Sequence, residues 1–176
     1  PHVSGTAALV CAQSPNITLQ KLRAILMYSG YVAPWQYTDE YPFSTGRAVD
    51  AGKALETLSS TDVTPPGAIT NLSAQITDAF PNYRLFWQAT GDDGNVGKVA
   101  AYDVRFSDTA LNDQNYDLGR PLPGPVPNDP GVTQFVSVRV PWRHPSGFIG
   151  VRAVDEAGNK GPITQVPISV SVDTGD

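Results

Sequence analysis

The sequence predicts an α + β chain in two parts, a short helical segment followed by an all-β sandwich. Up to about residue 58, apolar residues recur at helical spacing. After residue 66 they occur in short alternating runs between turn residues. The 176 residues include 16 Gly and 16 Pro, which favours a part with many turns. We place the helical segment at 1–60, a polar, proline-terminated linker at 61–66 and the all-β domain at 67–173.

The first predicted helix, 3–13, is rich in alanine and apolar on almost every side. Such a helix is stable only when other elements cover all of its faces. Residues 1–58 are too few to do this, so we expect the segment to be unstable without further protein around it. Cys11, the single cysteine, lies in this helix, and we expect a buried, inert thiol.

Two further helices are predicted in the same segment. Thr18 is positioned to cap a helix over 19–29, and Gly30 is positioned to end it. Asp50 is positioned to open a short helix that runs through Leu58. The second helix has one apolar stripe, formed by Leu19, Leu22, Ile25 and Leu26.

The second part predicts six strands, at 69–76, 82–89, 100–107, 134–140, 147–154 and 165–172. About 100 residues with six or seven short strands are typical of an immunoglobulin-like sandwich. Residues 111–131 interrupt the pattern with a proline-rich stretch. A connection of this length is either functional or a cover for the sheet.

Charge and composition exclude several classes of partner. The net charge is −5, and the 12 basic residues are dispersed rather than clustered, so a nucleic acid partner is not expected. No stretch approaches the roughly 20 apolar residues of a membrane span. The chain begins Pro-His-Val, with no methionine and no basic leader. Either the start was removed by processing or the chain is a fragment, and the family resemblance described below favours the fragment.

Three ordered motifs in the helical segment resemble the subtilisin-like serine proteases. Residues 1–9, PHVSGTAAL, resemble the end of the family's nucleophile signature, G-T-S-x-A-x-P-H-V-[SA]-G. Residues 14–26 resemble the helix that follows, and residues 46–55, GRAVDAGKAL, resemble the closing segment. That closing segment lacks its usual first glycine, because Ser44-Thr45 precedes Gly46. Three matches in order are more specific than one short motif.

The second part resembles bacterial fibronectin type III modules. The resemblance lies in LFW at 85–87, GDDG at 91–94, YDVRFS at 102–107 and VRAVDEAGN at 151–159. It implies that Trp87 is the core tryptophan. It also implies that Phe148 replaces the usual core tyrosine, or that this residue is missing.

Together, the resemblances imply the helical C-terminal end of a subtilisin-like α/β domain, followed by a fibronectin type III sandwich. The parent would be a secreted bacterial endopeptidase, and its partners would be the missing N-terminal part of the protease domain and a protein or peptide substrate. The Asp…His…Ser order of the family puts the whole triad upstream, so no catalytic residue is expected here. His2 would not be the base. Four residues would instead hold the nucleophile turn rigid: Pro1, His2, Val3 and Gly5.

Several other residues have both a functional and a structural interpretation. Asp92, Asp93 and Asn95 could offer oxygens to calcium, but they lack the longer ligand series of a committed site, so a solvated turn is favoured and no cofactor is expected. The same holds for a second acidic turn, formed by Asp155, Glu156 and Asn159. An aromatic loop is expected to pack against protein, with substrate contact as the alternative; it contains Trp35, Tyr37, Tyr41 and Phe43.

A second function fits the sequence as given. The chain could be a non-catalytic extracellular binding or adhesion module with a helical appendage. In that case the fibronectin type III-like part would be the functional unit, rather than a spacer, stabiliser or substrate binder of a protease. His144, between Arg143 and Pro145, is expected in a surface loop in either case.

Overall fold

The computed structural model describes residues 1–32, 47–77, 81–141, 143 and 146–169. Within these residues it has three α-helices, and its larger sheets are antiparallel, so the α + β prediction is confirmed. No helix in these ranges is long and apolar enough to cross a membrane. Some predicted features lie outside the described residues: Trp35, Tyr37, Tyr41, Phe43, Gly46, His144 and the end of the last predicted strand, 170–172.

The three helices are α1 (His2–Gln13), α2 (Leu19–Tyr28) and α3 (Ala51–Leu58). Both predicted caps are confirmed. The Thr18 hydroxyl accepts a hydrogen bond from the Lys21 amide at 3.2 Å, and the Asp50 carboxylate accepts one from the Lys53 amide at 3.0 Å. Each cap satisfies an amide that the first turn of a helix leaves without a partner. The three helices share a small core around Val10, Ile25 and Ala54.

Helix α1 is covered on one face only. It packs against α2 and α3, and its buried residues are Thr6 and Val10. Val3 is 56% exposed and Leu9 is 50% exposed. Cys11 is also exposed. The prediction of a buried thiol is therefore wrong for this chain, because nothing described covers that side of the helix.

The two ends of α2 show how the helix meets its surroundings. Leu19, its first residue, is 75% exposed, because it lies in the first turn, away from the shared helical core. Gly30 follows the helix as predicted, but without the left-handed φ of a typical C-terminal glycine. A side chain at Gly30 would instead collide with the carbonyl oxygen of Ala48. Close approach therefore explains this glycine, since β1 (Tyr31–Val32) pairs with β2 (Arg47–Ala48) directly after it.

Seven strands follow the helices, and they form two antiparallel sheets. The three-stranded sheet has the order β3-β4-β7, and the four-stranded sheet has the order β6-β5-β8-β9. Six of the strands match the predicted ones to within two residues at each described end. The strands are β3 (Thr70–Ile76), β4 (Asn82–Gln88), β5 (Ala101–Ser107), β6 (Arg120–Leu122), β7 (Thr133–Arg139), β8 (Ser146–Val154) and β9 (Thr164–Ser169).

The sequence interpretation missed β6. This strand lies inside the long connection 111–131, where a short 3₁₀ helix, Tyr116–Leu118, precedes it. Pro121 cannot donate a ladder hydrogen bond, so the strand is tolerated only at a sheet edge. Its only neighbour in the described sheet is β5.

The two sheets pack face to face over one apolar core. Trp87 is 1% exposed, and its ring meets the Tyr102 ring edge-on, with 5.0 Å between centroids. The prediction that Trp87 is a core residue is confirmed. Phe148 is not a core residue, because its neighbours Ile149 and Gly147 face inward and Phe148 is only half-buried. The tyrosines in this core are Tyr83 on β4 and Tyr102 on β5.

Candidate functional site

The first turn of α1 holds the four residues predicted to support a nucleophile. The Pro1 carbonyl accepts hydrogen bonds from the Gly5 amide and the Ser4 hydroxyl, each at 2.9 Å. The His2 carbonyl accepts a hydrogen bond from the Thr6 hydroxyl at 3.0 Å. The structure brings the four residues together on one exposed turn: Pro1, His2, Val3 and Gly5.

This turn does not contain a catalytic pair. The Ser4 hydroxyl donates to a backbone carbonyl, and the His2 imidazole has no hydrogen bond to the described residues. Across the described ranges, no serine, threonine or cysteine side chain is hydrogen-bonded to a histidine. Nucleophilic catalysis of the serine or cysteine type needs such a contact between nucleophile and base.

An open groove of about 480 Å³ lies between the C-terminal ends of α1 and α3. Leu55 and Leu58 give it an apolar wall, and the polar residues Gln13, Ser14 and Ser59 line its rim. Together with exposed Val3 and Leu9, it leaves much of the apolar surface of the helical segment open to water.

The acidic loop 91–97 forms a compact turn that is hydrogen-bonded to the linker. The amides of Asp92 and Asp93 donate to the Val96 carbonyl at 2.7 and 3.0 Å. Gly94 donates to the Pro65 carbonyl and accepts from the Gly67 amide. The linker is therefore tied into the two-sheet region just before β3 begins.

The carboxyl group of Asp92 has an unusual environment within this loop. Burial first, and then the nearby charges of Glu156 and Asp155, raise the pKa of Asp92 to about 7. Its Oδ1 atom is buried and has no hydrogen-bond partner. In the part of the chain that the structure describes, no group of three or more His, Cys, Asp or Glu side chains is arranged to hold a metal ion.

The second acidic turn, 155–159, joins three parts of the molecule. Asp155 is fully buried and accepts hydrogen bonds from the backbone and side-chain nitrogens of Asn159, both at 2.7 Å. Asn159 also donates to the Asp62 carbonyl in the linker at 3.2 Å. The Lys21 ammonium of α2 donates to the Ala157 carbonyl at 2.7 Å. The predicted turn thus links the end of β8, the linker and the helical segment.

Helix α2 packs against the outer face of the four-stranded sheet. Ala24 and Tyr28 lie against Ala101 and Val154 in one apolar cluster. Gly158 fits beside them at a φ of +87°, and a Cβ there would lie 2.6 Å from the Ala24 Cβ. The contact leaves a cavity of only about 60 Å³ beside the helix.

A buried ionic network lies under this contact. Arg105 and Arg152 are both almost fully buried. The Asp103 carboxylate accepts a hydrogen bond from Arg105 at 2.8 Å, and Asp117 accepts one from Arg152 at 2.9 Å. The Arg152 guanidinium also lies 4.0 Å from the centroid of the Tyr116 ring, a favourable cation–π geometry.

The network fixes the first half of the long connection onto the sheet. The Tyr116 hydroxyl donates to the Asp103 carbonyl at 2.6 Å, and Arg105 donates to the Asp117 and Gly119 carbonyls. Burial would raise the pKa of Asp117, but Lys160 and then Arg152 lower it below its ordinary value. Burial and the Asp103 charge raise the pKa of Tyr28 to about 12.

Sequence reasoning missed this network, although one signal was available. Asp103 and Arg105 alternate with the core residues of β5, so both point away from the core. The long connection 111–131 was expected either to be functional or to cover a sheet. Matching it with the two outward charges of β5 would have predicted that it covers this face.

No protein-family model matches the sequence, and no curated protein matches it. Among solved structures, the chain is similar to the spore cortex lytic enzyme SleM of Clostridium perfringens, with 18% sequence identity and a TM-score of 0.42. The match covers 77% of this chain and 38% of the SleM chain, so this chain spans well under half of that protein. The functional proposal therefore rests on the chain's own residues and contacts.

Proposed function

We propose that this chain is the C-terminal portion of a secreted bacterial subtilisin-like serine endopeptidase that carries an accessory fibronectin type III module. The three ordered motifs in residues 1–58 are the basis of the proposal. The triad would lie upstream of Pro1, and peptide-bond hydrolysis would belong to the parent protein. The fragment alone would be inactive.

The exposed surface of α1 is the observation that carries the proposal. This helix is apolar on almost every side, yet Val3 and Leu9 are at least half exposed. Burying one such side chain stabilises a protein by about 1.5–3 kcal/mol. An α/β protease body that surrounds the helix would supply this burial, and it would also fill the groove between α1 and α3.

The position of Pro1 and His2 agrees with the same proposal. Both lie at the start of α1, where the family's nucleophile turn would enter the helix. With the missing N-terminal part of the protease domain in place, these residues would pack beneath the catalytic serine and keep its backbone rigid. They would act through the serine and would not contact the substrate.

The accessory module would be a docked stabiliser rather than a freely tethered unit. Seven strands in sheets of three and four, around Trp87 and Tyr102, support its likeness to a fibronectin type III module. In the parent, α2 would belong to the catalytic domain. Its contacts with the turn 155–159 and with the four-stranded sheet would then orient the module on the enzyme.

The test begins with the coding sequence directly before Pro1, which is expected to read G-T-S-x-A-x. The longer protein should then hydrolyse casein and be labelled by a serine-directed fluorophosphonate. The 176-residue chain should show neither property, because the triad is missing. Fluorophosphonate-sensitive hydrolysis by the short chain would contradict the proposal. An unrelated upstream sequence would leave the non-catalytic binding or adhesion module as the better function.

A further inference from the structure

The outer face of the three-stranded sheet carries an exposed aromatic pair. Side chains alternate along a strand, so Arg84 and Phe86 of β4 point outward, as do Phe135 and Arg139 of β7. Phe86 is paired directly with Phe135 across the strands, and their ring centroids are 6.5 Å apart. Phe135 is 56% exposed. We call this surface the open face.

The open face is locally positive on an acidic protein. Its three strands contain two arginines, Arg84 and Arg139, and no aspartate or glutamate, although the chain as a whole has a net charge of −5. Both arginines are exposed. Neither guanidinium has an ion pair or hydrogen bond with a described residue. The charge of the face is therefore available to an anionic ligand.

Neutral hydrogen-bonding groups surround the aromatic pair. Ser73 is aligned with Phe86 across the β3–β4 ladder, and Gln75 is aligned with Arg84. On the other side of the pair, the Gln88 amide lies 3.4 Å from the Thr133 hydroxyl. The face thus combines two aromatic rings, two positive charges and several neutral polar groups, which are spread over four outward-facing cross-strand pairs of β4 and β7.

The open face is on the far side of the two-sheet region from the helices. Helix α2 and residues 111–119 lie on the outer face of the four-stranded sheet, on the other side of the shared core. Neither α2 nor residues 111–119 therefore cover the open face.

The geometry restricts what kind of polymer this face can bind. The common modes of peptide recognition use a free strand edge or a groove. The central strand β4 is paired on both sides, with β3 and β7, so its backbone groups are not available. A peptide strand would pair along the outer edges of β3 and β7, whereas a ligand that lies across the face itself is recognised by side chains alone, on a flat surface.

We propose that the open face binds an acidic polysaccharide, built from sugars that carry carboxylate groups. The apolar faces of sugar rings stack on aromatic rings, here the exposed ring of Phe135 and the partly exposed ring of Phe86. Guanidinium groups hold carboxylates by paired, charge-assisted hydrogen bonds. The neighbouring amide and hydroxyl groups bind sugar hydroxyls. The main alternative for a positive surface, an acidic peptide, uses the two arginines but gives the two rings no comparable partner.

The experiment measures binding of the full 176-residue chain to polygalacturonate by isothermal titration calorimetry. Its fully methyl-esterified form has the same backbone without charge and serves as the ligand control. Binding is expected for the acid form, and it should weaken about tenfold or more for the ester. Raising the salt concentration should also weaken binding to the acid form.

Four substitutions separate the open face from general surface effects. F135A and R84Q should each weaken binding about tenfold. L118A and R120Q are their matched controls, because they remove an exposed apolar side chain and an exposed arginine from outside the open face. The controls should keep binding within about twofold, and all four variants should keep the parent melting temperature within a few degrees.

Several results would overturn the proposal. These are failure of the parent chain to bind polygalacturonate, equal loss of binding in the control variants, and tighter binding to poly-glutamate than to the polysaccharide. A concentration-dependent dimer in sedimentation velocity that F135A abolishes would assign the face to self-association instead. None of these results bears on the protease proposal, which is tested by the upstream sequence and by fluorophosphonate labelling.

Discussion

The outer faces of the two sheets carry arginines in opposite environments. On the four-stranded sheet, Arg105 and Arg152 are buried beneath helix α2 and the connection 111–119, and carboxylates pair with both. On the three-stranded sheet, Arg84 and Arg139 face solvent without an acidic partner among the described residues. The strand pattern is the same on both sheets. What differs is that α2 and residues 111–119 cover one face, which is therefore a structural interface, whereas the other face is open to solvent and available for binding.

The largest expected effect tests the covered face. D103A removes the carboxylate closest to the buried Arg105, and it should destabilise the protein by about 3 kcal/mol because a buried charge loses its nearest counter-ion. Urea unfolding gives the change. D129A is the matched control, since Asp129 pairs with Lys98 on the surface, and it should cost no more than about 1 kcal/mol. Equal effects of the two variants would mean that the network contributes little to stability.

The next effect tests the docking of helix α2. Gly158 and Gly131 both have a left-handed φ, but only Gly158 lies against another side chain, that of Ala24. G158A and G131A should therefore share a strain cost of about 1 kcal/mol. G158A should lose about 1–2 kcal/mol more, because it also forces α2 away from the turn. Thermal unfolding of the two variants side by side measures the difference, and identical losses would show that the contact is not important.

A smaller effect concerns the junction of the linker with the two sheets. The pKa of Asp92 is raised to about 7, whereas an unfolded carboxyl has a pKa near 4. The folded state therefore holds the extra proton between these values, so this group's contribution makes the protein less stable as the pH rises from about 4 to about 7.

D92N should remove this contribution and raise the stability at pH 7.5 by at most about 1 kcal/mol, since Asp92 is only partly buried as a residue and solvent screens part of its charge. Melting temperatures of the parent and D92N at pH 5.0 and pH 7.5 give the comparison. A parent and variant with the same pH dependence would show that Asp92 titrates normally.

The smallest effect is expected on the open face. R84A and F135A should each change the unfolding free energy by no more than about 0.5 kcal/mol, because neither side chain is buried against the core. Urea unfolding under the conditions used for D103A measures this. A loss above about 2 kcal/mol would show that the open face is structural, and the contrast between the two sheets would fail.

The sequence predicted the local elements well, for identifiable reasons. Thr18 and Asp50 supply side-chain oxygens just before apolar periodic segments, and both cap helices as expected. The resemblance to fibronectin type III modules implied that Trp87 is a core residue, and its ring is buried. The edge strand β6 was missed because it is three residues long and contains Pro121, so no alternation is visible.

The errors arose where burial depends on distant parts of the chain. Cys11 lies in an apolar helix, and the sequence alone predicted that it would be buried, but it is exposed. Whether a helix face is covered depends on which other elements reach it, and the described part of this chain does not reach Cys11. Phe148 was placed in the core by analogy, but a shift of one position along a strand turns a side chain to the opposite face.

The sequence by itself determined where helices and strands begin, which residues cap them, and which face of each strand is apolar, because these properties depend on neighbours a few residues away. It also carried the motifs behind the functional proposal. Only the tertiary structure decided that Asp103, Arg105 and Arg152 form a buried network while Arg84 and Arg139 stay open. Those outcomes depend on where α2 and the connection 111–119 come to lie, and such contacts join residues that are far apart in the chain.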